Sequence, residues 1–273
     1  MGAHPPRDAQ HEHSQRPEEG GRFRFHEHIS PGGVVAYQGL RGNKAHVVPL
    51  KPLSMEGPYV QVPFPLPAHA GPDAPIAFLD RDGVINLGKS SYVNGPDEVI
   101  LLPGAADSIG MLNDEGYLVC VVTNQSPIAR GLWAFGTLAL IHKELQRLLK
   151  EEHPRANIHA FLTCPHRYED GCLCRNPSPA MLSLGHDVLR MGASVETGWE
   201  PANFAVDEPR VNWWSAKPSP PHPLDLMVGD RRSDMGAGWA FGARLFRVPA
   251  ALGLSYLGDR WTDELDSGDA FKP

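Results

Sequence analysis

The 273-residue sequence predicts an α/β fold, a Rossmann-like parallel sheet layered between helices on both faces. Three observations predict it. From Ala74 onward, short apolar runs alternate with longer segments of helical character, the pattern of successive strand–helix units. Four of the five runs end in polar or metal-capable residues: Asp80, Thr123, Cys164 and Asp230. In open parallel sheets, ligands bind beyond the carboxyl ends of the strands. One such tip would mean little, but four that converge make a site.

Residues 1–22 are polar, rich in Pro, Gly, Glu and His, and read as a disordered tail. Five of the thirteen histidines (His4, His11, His13, His26, His28) fall in the first 28 residues. They read as solvated chain, with metal binding as the alternative. Residues 23–73 form a Pro-rich extension without an assigned role, and stretches such as YVQVPFPLP suit short strands or an extended wrap. The main domain spans 74–255. Its strands are IAFLD (76–80), YLVCVVTN (117–124), IHAFLTC (158–164), LDLMVGD (224–230) and ARLFRV (243–248), each short and apolar. PGAADSIGMLNDEG, the stretch from about Leu132 to Glu151, and PAMLSLGHDVLRMG read as helices. Residues 193–223 are long for a connection inside a compact domain and carry Trp199, Trp213 and Trp214. They read either as a surface insertion packed by its own aromatics or as a lid. Residues 256–273 read as a C-terminal tail.

The net charge is −7 and no Lys/Arg-rich block exists, which argues against nucleic-acid and polybasic membrane binding. No run of about 18 apolar residues is present to span a bilayer. The first residues lack the apolar core of a signal peptide. A reducing, cytoplasmic setting is expected, where clustered cysteines serve a metal or catalysis rather than disulfides. A monomer acting on a small molecule is expected.

FLDRDGVIN (78–86) places two aspartates two apart after an apolar strand and before a glycine. Side chains at i and i+2 of an extended segment point the same way, so Asp80 and Asp82 face one pocket. They repel, and oxygen ligands of this kind suit Mg²⁺, which also takes substrate phosphate. One carboxylate can attack phosphorus while the other handles protons. The plain alternative is a turn with two exposed aspartates. MVGDRRSDMGAG (227–238) supplies Asp230, which can complete a magnesium site with Asp80 and Asp82. Asp234 either joins through water or caps the next helix. TNQS (123–126) offers a hydroxyl and amides for a phosphate oxygen, a weak signal when taken alone.

CPHRYEDGCLCRNPSP (164–179) holds Cys164, His166, Cys172 and Cys174 as C-x-H-x5-C-x-C. Three thiolates and an imidazole suit tetrahedral, structural Zn²⁺ with no open position. Arg175 follows the last ligand directly, so the metal sets where that guanidinium points, and arginine binds phosphate bidentately. Cys120, inside an apolar strand, reads as core.

Together these residues resemble the haloacid dehalogenase superfamily of phosphatases. FLDRDGVIN, SYVNGPDEV, LPGAADSI, GYLVCVVTNQSPIARGL and CPH…CLCRNP are similar to its D,D-heptose 1,7-bisphosphate phosphatase group and the histidinol-phosphatase relatives. The likeness runs from about residue 76 to 250, without the 193–223 insertion. VIN and IARG fit the heptose branch better. The resemblance implies an essentially capless haloacid dehalogenase fold with a zinc-pinned loop, working in carbohydrate metabolism. It implies Mg²⁺-dependent hydrolysis of D-glycero-D-manno-heptose 1,7-bisphosphate to the heptose 1-phosphate. Asp80 would be the nucleophile and form an aspartyl-phosphate. Asp82 would protonate the leaving oxygen and then activate water. The magnesium ligands would be Asp80, the backbone carbonyl of Asp82, and Asp230. Thr123, Asn124, Gln125, Ser126, Arg175 and Asn176 would bind the phosphoryl group and substrate. Arg130 would contact substrate or lie idle at the surface. Histidinol phosphate or another small ester is the neighbouring reading.

The likeness departs at two positions. The family has lysine after that arginine, and this chain has Asn176. An amide cannot supply the lysine's charge, so Arg175 acts alone, Arg231 or Lys217 substitutes, or the site is weakened. The last case would make the chain a zinc-stabilised binding or regulatory protein. Pro127 also stands where the family usually has glycine.

Overall fold

The computed structural model describes residues 57–273. The tail at 1–22 and the extension up to residue 56, with the histidine-rich segment, lie outside the described residues. Along the chain run β1 (Tyr59–Gln61), β2 (Ile76–Leu79), α1 (Ala105–Asp114), β3 (Leu118–Asn124), α2 (Phe135–Glu152) and β4 (Ala160–Cys164). They continue with α3 (Ala180–Leu189), β5 (Ala202–Asn203), β6 (Leu226–Gly229), α4 (Arg232–Phe241) and β7 (Arg244–Arg247).

The sheet order is β5-β1-β4-β3-β2-β6-β7. The five strands β4-β3-β2-β6-β7 are parallel, as expected from strand–helix alternation. Among them, chain order runs outward from β2 to β4, then restarts at β6 on the other side of β2. The carboxyl ends of β2 and β6 therefore flank the point where the winding reverses, the place such sheets leave a crevice. Asp80 follows one end and Asp230 the other. Only turns and one short 3-10 helix, Pro96–Glu98, separate β2 from α1, too little chain for a cap domain.

Alternation along each strand sends side chains to two cores. Leu79, Val121, Phe161 and Val228 pack with Ile109 of α1 and Ile141 and Leu145 of α2. Phe78, Cys120, Leu162 and Met227 pack on the opposite face with Met181 of α3 and Met235 of α4. Cys120 is core as expected, and burial pushes its thiol pKa up.

Three boundaries differ from the sequence reading. The sheet does not begin at Ala74: β1 pairs antiparallel with β4, Tyr59 opposite Thr163, and so belongs to the body of the fold. The 193–223 insertion adds β5 to β1 and packs through its tryptophans, with Trp213 stacked on Trp239 at 5.6 Å and Trp199 beside Phe161 at 6.2 Å. Residues 256–273 are not a loose tail. Trp261 is buried against Tyr117, and Asp269 N–H donates to the Leu245 carbonyl, covering the open edge at β7.

A buried ion pair joins the carboxyl end of α3 to the amino end of β6. Arg190, after α3, pairs with Asp225, before β6; both are fully buried. Arg190 Nε donates to the Ala74 carbonyl at 2.7 Å, and Asp225 Oδ1 accepts from Ile76 N at 2.9 Å. Removing one partner leaves the other charged and uncompensated. Arg190→Met is expected to cost about 3–5 kcal/mol, read as a lower urea midpoint at unchanged m-value. An unchanged midpoint would show that the pair is dispensable.

Candidate active site

Asp80 sits one residue beyond β2, its N–H donating to the Val228 carbonyl of β6 at 2.9 Å. That bond aligns the two strand tips. Asp80, Asp230 and Asp234 then bring carboxylate oxygens within 4.8 Å of one another. Glycine permits the approach at two positions. Gly83 adopts φ +84°, and a Cβ there would lie 3.0 Å from Asp230 Oδ2. At Gly229 a Cβ would stand 2.3 Å from that of Asp234.

The electrostatics suit a divalent cation. Burial, then Asp234 and Asp82, push the Asp80 pKa well above the usual carboxylate range. Burial also raises Asp230, and it raises Asp234 to about 6 against the hydrogen bond from Asn176. Asp230 Oδ1 is buried and accepts no hydrogen bond. Carboxylates crowded and desolvated in this way are stable together only when protons or a divalent cation offset their charge.

Asp234 stands in the cluster, while the Asp82 carboxylate is turned to other partners. Arg81 grips it with Nη2 at 2.8 Å from Oδ2, Asn86 Nδ2 donates to Oδ1 at 2.9 Å, and Gln125 Nε2 donates to Oδ2 at 2.9 Å. Burial opposes its ionisation, but Arg81 and these donors together hold its pKa below the ordinary value. The two aspartates of FLDRDG thus occupy contrasting environments, the usual mark of a divided acid–base task. Asp234 is not itself the N-cap of α4: it stands in the third helical position and accepts from the N–H of the cap residue Arg231 at 3.1 Å.

The other anticipated residues cluster less evenly. Thr123 is buried and its Oγ1 accepts from Gln125 Nε2 at 3.0 Å, so Gln125 bridges Thr123 and Asp82. Asn124 Oδ1 accepts from Asn176 N at 3.3 Å, joining the β3 tip to the cysteine loop. Ser126 is buried, its carbonyl accepting from the N–H of Arg130, whose side chain is exposed. A cleft of about 420 Å³ opens beside Asp230, lined by Arg247, Val248, Pro249, Ala250 and Tyr256.

Cys164, His166, Cys172 and Cys174 converge as their spacing implied. Sγ···Sγ distances from Cys172 are 3.6 Å to Cys164 and 3.7 Å to Cys174. His166 Nδ1 lies 3.4 Å from Cys164 Sγ and 3.3 Å from Cys174 Sγ. A zinc tetrahedron with bonds of about 2.3 Å to sulfur and 2.0 Å to nitrogen has edges of roughly 3.5–3.8 Å, so the donor set fits. Arg175 Nη1 donates to the His166 carbonyl at 2.9 Å, which ties the guanidinium to the cluster.

Asn176 is buried, its Nδ2 donating to Asp234 Oδ1 at 2.9 Å and its Oδ1 left without a partner. Neither alternative cation replaces the lysine at that spot. Arg231 Nε is 3.8 Å from Asp230 Oδ1 on a side chain that is 70% exposed. Lys217 neighbours Pro218, whose carbonyl lies at Gly242, the far end of α4 from Asp234.

Fold and site define a phosphatase of the haloacid dehalogenase type. The comparisons agree. A D-glycero-β-D-manno-heptose-1,7-bisphosphate 7-phosphatase of Pseudomonas putida is 40% identical over 178 residues, 65% of this chain and 84% of that protein. The chain belongs to this family of heptose bisphosphate phosphatases. The D,D-heptose 1,7-bisphosphate phosphatase of B. bronchiseptica, solved with magnesium and phosphate, aligns over 67% of this chain and 97% of its own at TM-score 0.50 and 26% identity. A HAD-like phosphatase structure from Mesorhizobium loti aligns over 80% and 98% at TM-score 0.56 and 26% identity. No family model matches the sequence. Among the described residues, no helix is long and apolar enough to cross a membrane.

Proposed function

We propose that this chain hydrolyses D-glycero-D-manno-heptose 1,7-bisphosphate at one phosphate, leaving the heptose 1-phosphate, through an aspartyl-phosphate on Asp80. The reading rests on one arrangement above all: the Asp80–Asp230–Asp234 cluster at the sheet's switch point, with Asp82 held separately beside it. Asp80, Asp230 and Asp234, with the Asp82 carbonyl, would hold Mg²⁺, which supplies positive charge for the phosphoryl oxygens and lowers the Asp80 pKa. Asp80 attacks phosphorus, and the bond to the sugar oxygen breaks. Asp82 delivers the proton to that oxygen. Because Arg81 and its neighbours favour the Asp82 carboxylate, the proton arrives with the ester, whose own second ionisation lies near pH ~6. The Asp82 carboxylate then takes a proton from water as the water attacks the aspartyl-phosphate, which frees phosphate and Asp80. Thr123, Asn124 and Arg175 orient the phosphoryl group, and Arg130 reaches the sugar side. Zn²⁺ on Cys164, His166, Cys172 and Cys174 is structural, and its thiolates suit a cytoplasmic setting.

The test is phosphate release with Mg²⁺ across heptose bisphosphate, histidinol phosphate and simple sugar phosphates. The bisphosphate is expected to give the highest kcat/KM; preference for histidinol phosphate would move the assignment to that branch.

Asn176 favours one second reading, a site weakened into a binding or regulatory role. Charged hydrogen bonds contribute about 1.5–3 kcal/mol against about 0.5–1.5 for neutral ones, so the amide slows the reaction without removing a reacting group. Asn176→Lys is expected to raise kcat roughly ten- to a hundredfold. Wild-type protein inactive across the panel, with activity appearing only in Asn176→Lys, would establish the weakened reading.

A further inference from the structure

A line of buried hydrogen bonds leaves the site at Asp82 and ends on the 193–223 insertion. Arg81 is fully buried and grips Asp82 with Nη2 at 2.8 and 3.0 Å and Nε at 3.1 Å. Its remaining nitrogen, Nη1, lies 3.3 Å from His142 Nε2. A guanidinium only donates, so His142 Nε2 accepts, and the ring is neutral with its proton on Nδ1. That Nδ1–H donates to Gln61 Oε1 at 2.6 Å. Gln61 Nε2 in turn donates to the Trp199 carbonyl at 2.6 Å. From His142 to Trp199 every donor points away from Arg81, so one polarity is satisfied throughout. Burial, then the charge of Arg81, keep the His142 pKa well below the usual imidazole value, in agreement with a neutral ring. His142 also stacks on Phe161, with ring centroids 4.2 Å apart.

Buried polar side chains contribute little to stability that apolar packing would not match. Their use here lies in what they hold. We propose that His142 and Gln61 are positioning residues for Asp82, acting through Arg81, and that they tie the antiparallel strand β1 and the insertion to proton transfer at the leaving oxygen. This rests on the role of Asp82 given above. Arg81 is long and flexible by nature. Anchored at Nη1, its guanidinium holds one place and holds Asp82 with it. β1 and the insertion lie outside the stretches that carry the family motifs, so the carboxylate is braced from segments remote from them in sequence.

The experiment compares kcat/KM for heptose bisphosphate and for 4-nitrophenyl phosphate. The sugar alkoxide leaves only with a proton, whereas nitrophenolate leaves with little help. His142→Phe keeps the stack on Phe161 and removes both ring nitrogens; Gln61→Met keeps length and removes the amide. In both, kcat/KM for the sugar ester is expected to fall roughly ten- to a hundredfold, and for the aryl ester by no more than about threefold. The ratio of the two does not depend on the folded fraction, so partial misfolding cannot mimic the result. Equal losses on both esters, or no loss on the sugar ester, would overturn the proposal. In an Asp82→Asn background, His142→Phe is expected to leave the ratio unchanged; a further change would overturn action through Asp82. Wild-type turnover of the bisphosphate is measured first. If it is absent while another alkyl phosphate is cleaved, the substrate assignment fails and the positioning is read on that ester. A wild type that cleaves no alkyl ester overturns both.

Discussion

Asp80→Asn is expected to lower turnover of the sugar bisphosphate roughly 10⁴–10⁶-fold, the scale on which removal of a nucleophile acts. The amide is similar in shape to the carboxylate, so the N–H bond from residue 80 to the Val228 carbonyl persists and the strand tips stay aligned. What disappears is the oxygen that attacks phosphorus. Stability should move the other way. Burial first, then Asp234 and Asp82, push the Asp80 pKa well up, so a neutral amide there avoids both the desolvation penalty and the repulsion. In metal-free buffer the variant is therefore expected to melt no lower than wild type. Magnesium should also raise its melting temperature less, because one ligand charge is gone. Activity lost with stability kept separates chemistry from folding. Turnover within tenfold of wild type would remove Asp80 from the nucleophile role.

Breaking the cysteine cluster is expected to have the second largest effect. Metal analysis should find about one zinc per chain, and Cys174→Ala should bind far less. The loop from Cys164 to Arg175 contains one short 3-10 turn, Tyr168–Asp170, and no longer element. Its shape therefore depends on the four ligands. Arg175 is tied to the cluster through the His166 carbonyl, so under the proposed role loss of the metal would free the guanidinium meant to orient phosphate. A fall of roughly ten- to a hundredfold in kcat/KM is expected, the range seen when groups that orient a site are lost. The parallel sheet should survive, because strands and helices outside the loop supply most of its two cores, with only Cys164 and Cys174 of the loop buried in one of them. Far-UV circular dichroism would then remain near wild type while proteolysis begins within 164–175. Full activity after removal of zinc by a chelator would show that the clip does not set Arg175.

Much of the site was legible because its signals are local. FLDRDG and MVGD each place a carboxylate at the end of an apolar strand, and alternation alone decides which face the strand presents. The cysteine spacing carried its own geometry for the same reason. The Arg81 line was not legible, although a trace of it existed. His142 falls on the same buried stripe of α2 as Leu138, Ile141 and Leu145, where a polar side chain needs a partner. No pattern in the sequence says that the partner is Gln61, eighty-one positions earlier.

Local patterning by itself determined the layered α/β fold, the parallel strands and the residues at their tips. Period, strand length and turn chemistry act over a few residues and leave their mark in the order of the chain. Only the tertiary structure decided that Asp234 joins Asp80 and Asp230, that Asn176 donates its amide to Asp234, and that β1 and the C-terminal segment flank the parallel strands on either side. Those outcomes depend on which edge is left unpaired and which buried charge lacks a counterpart, and both are settled by distances across the fold rather than by spacing along it.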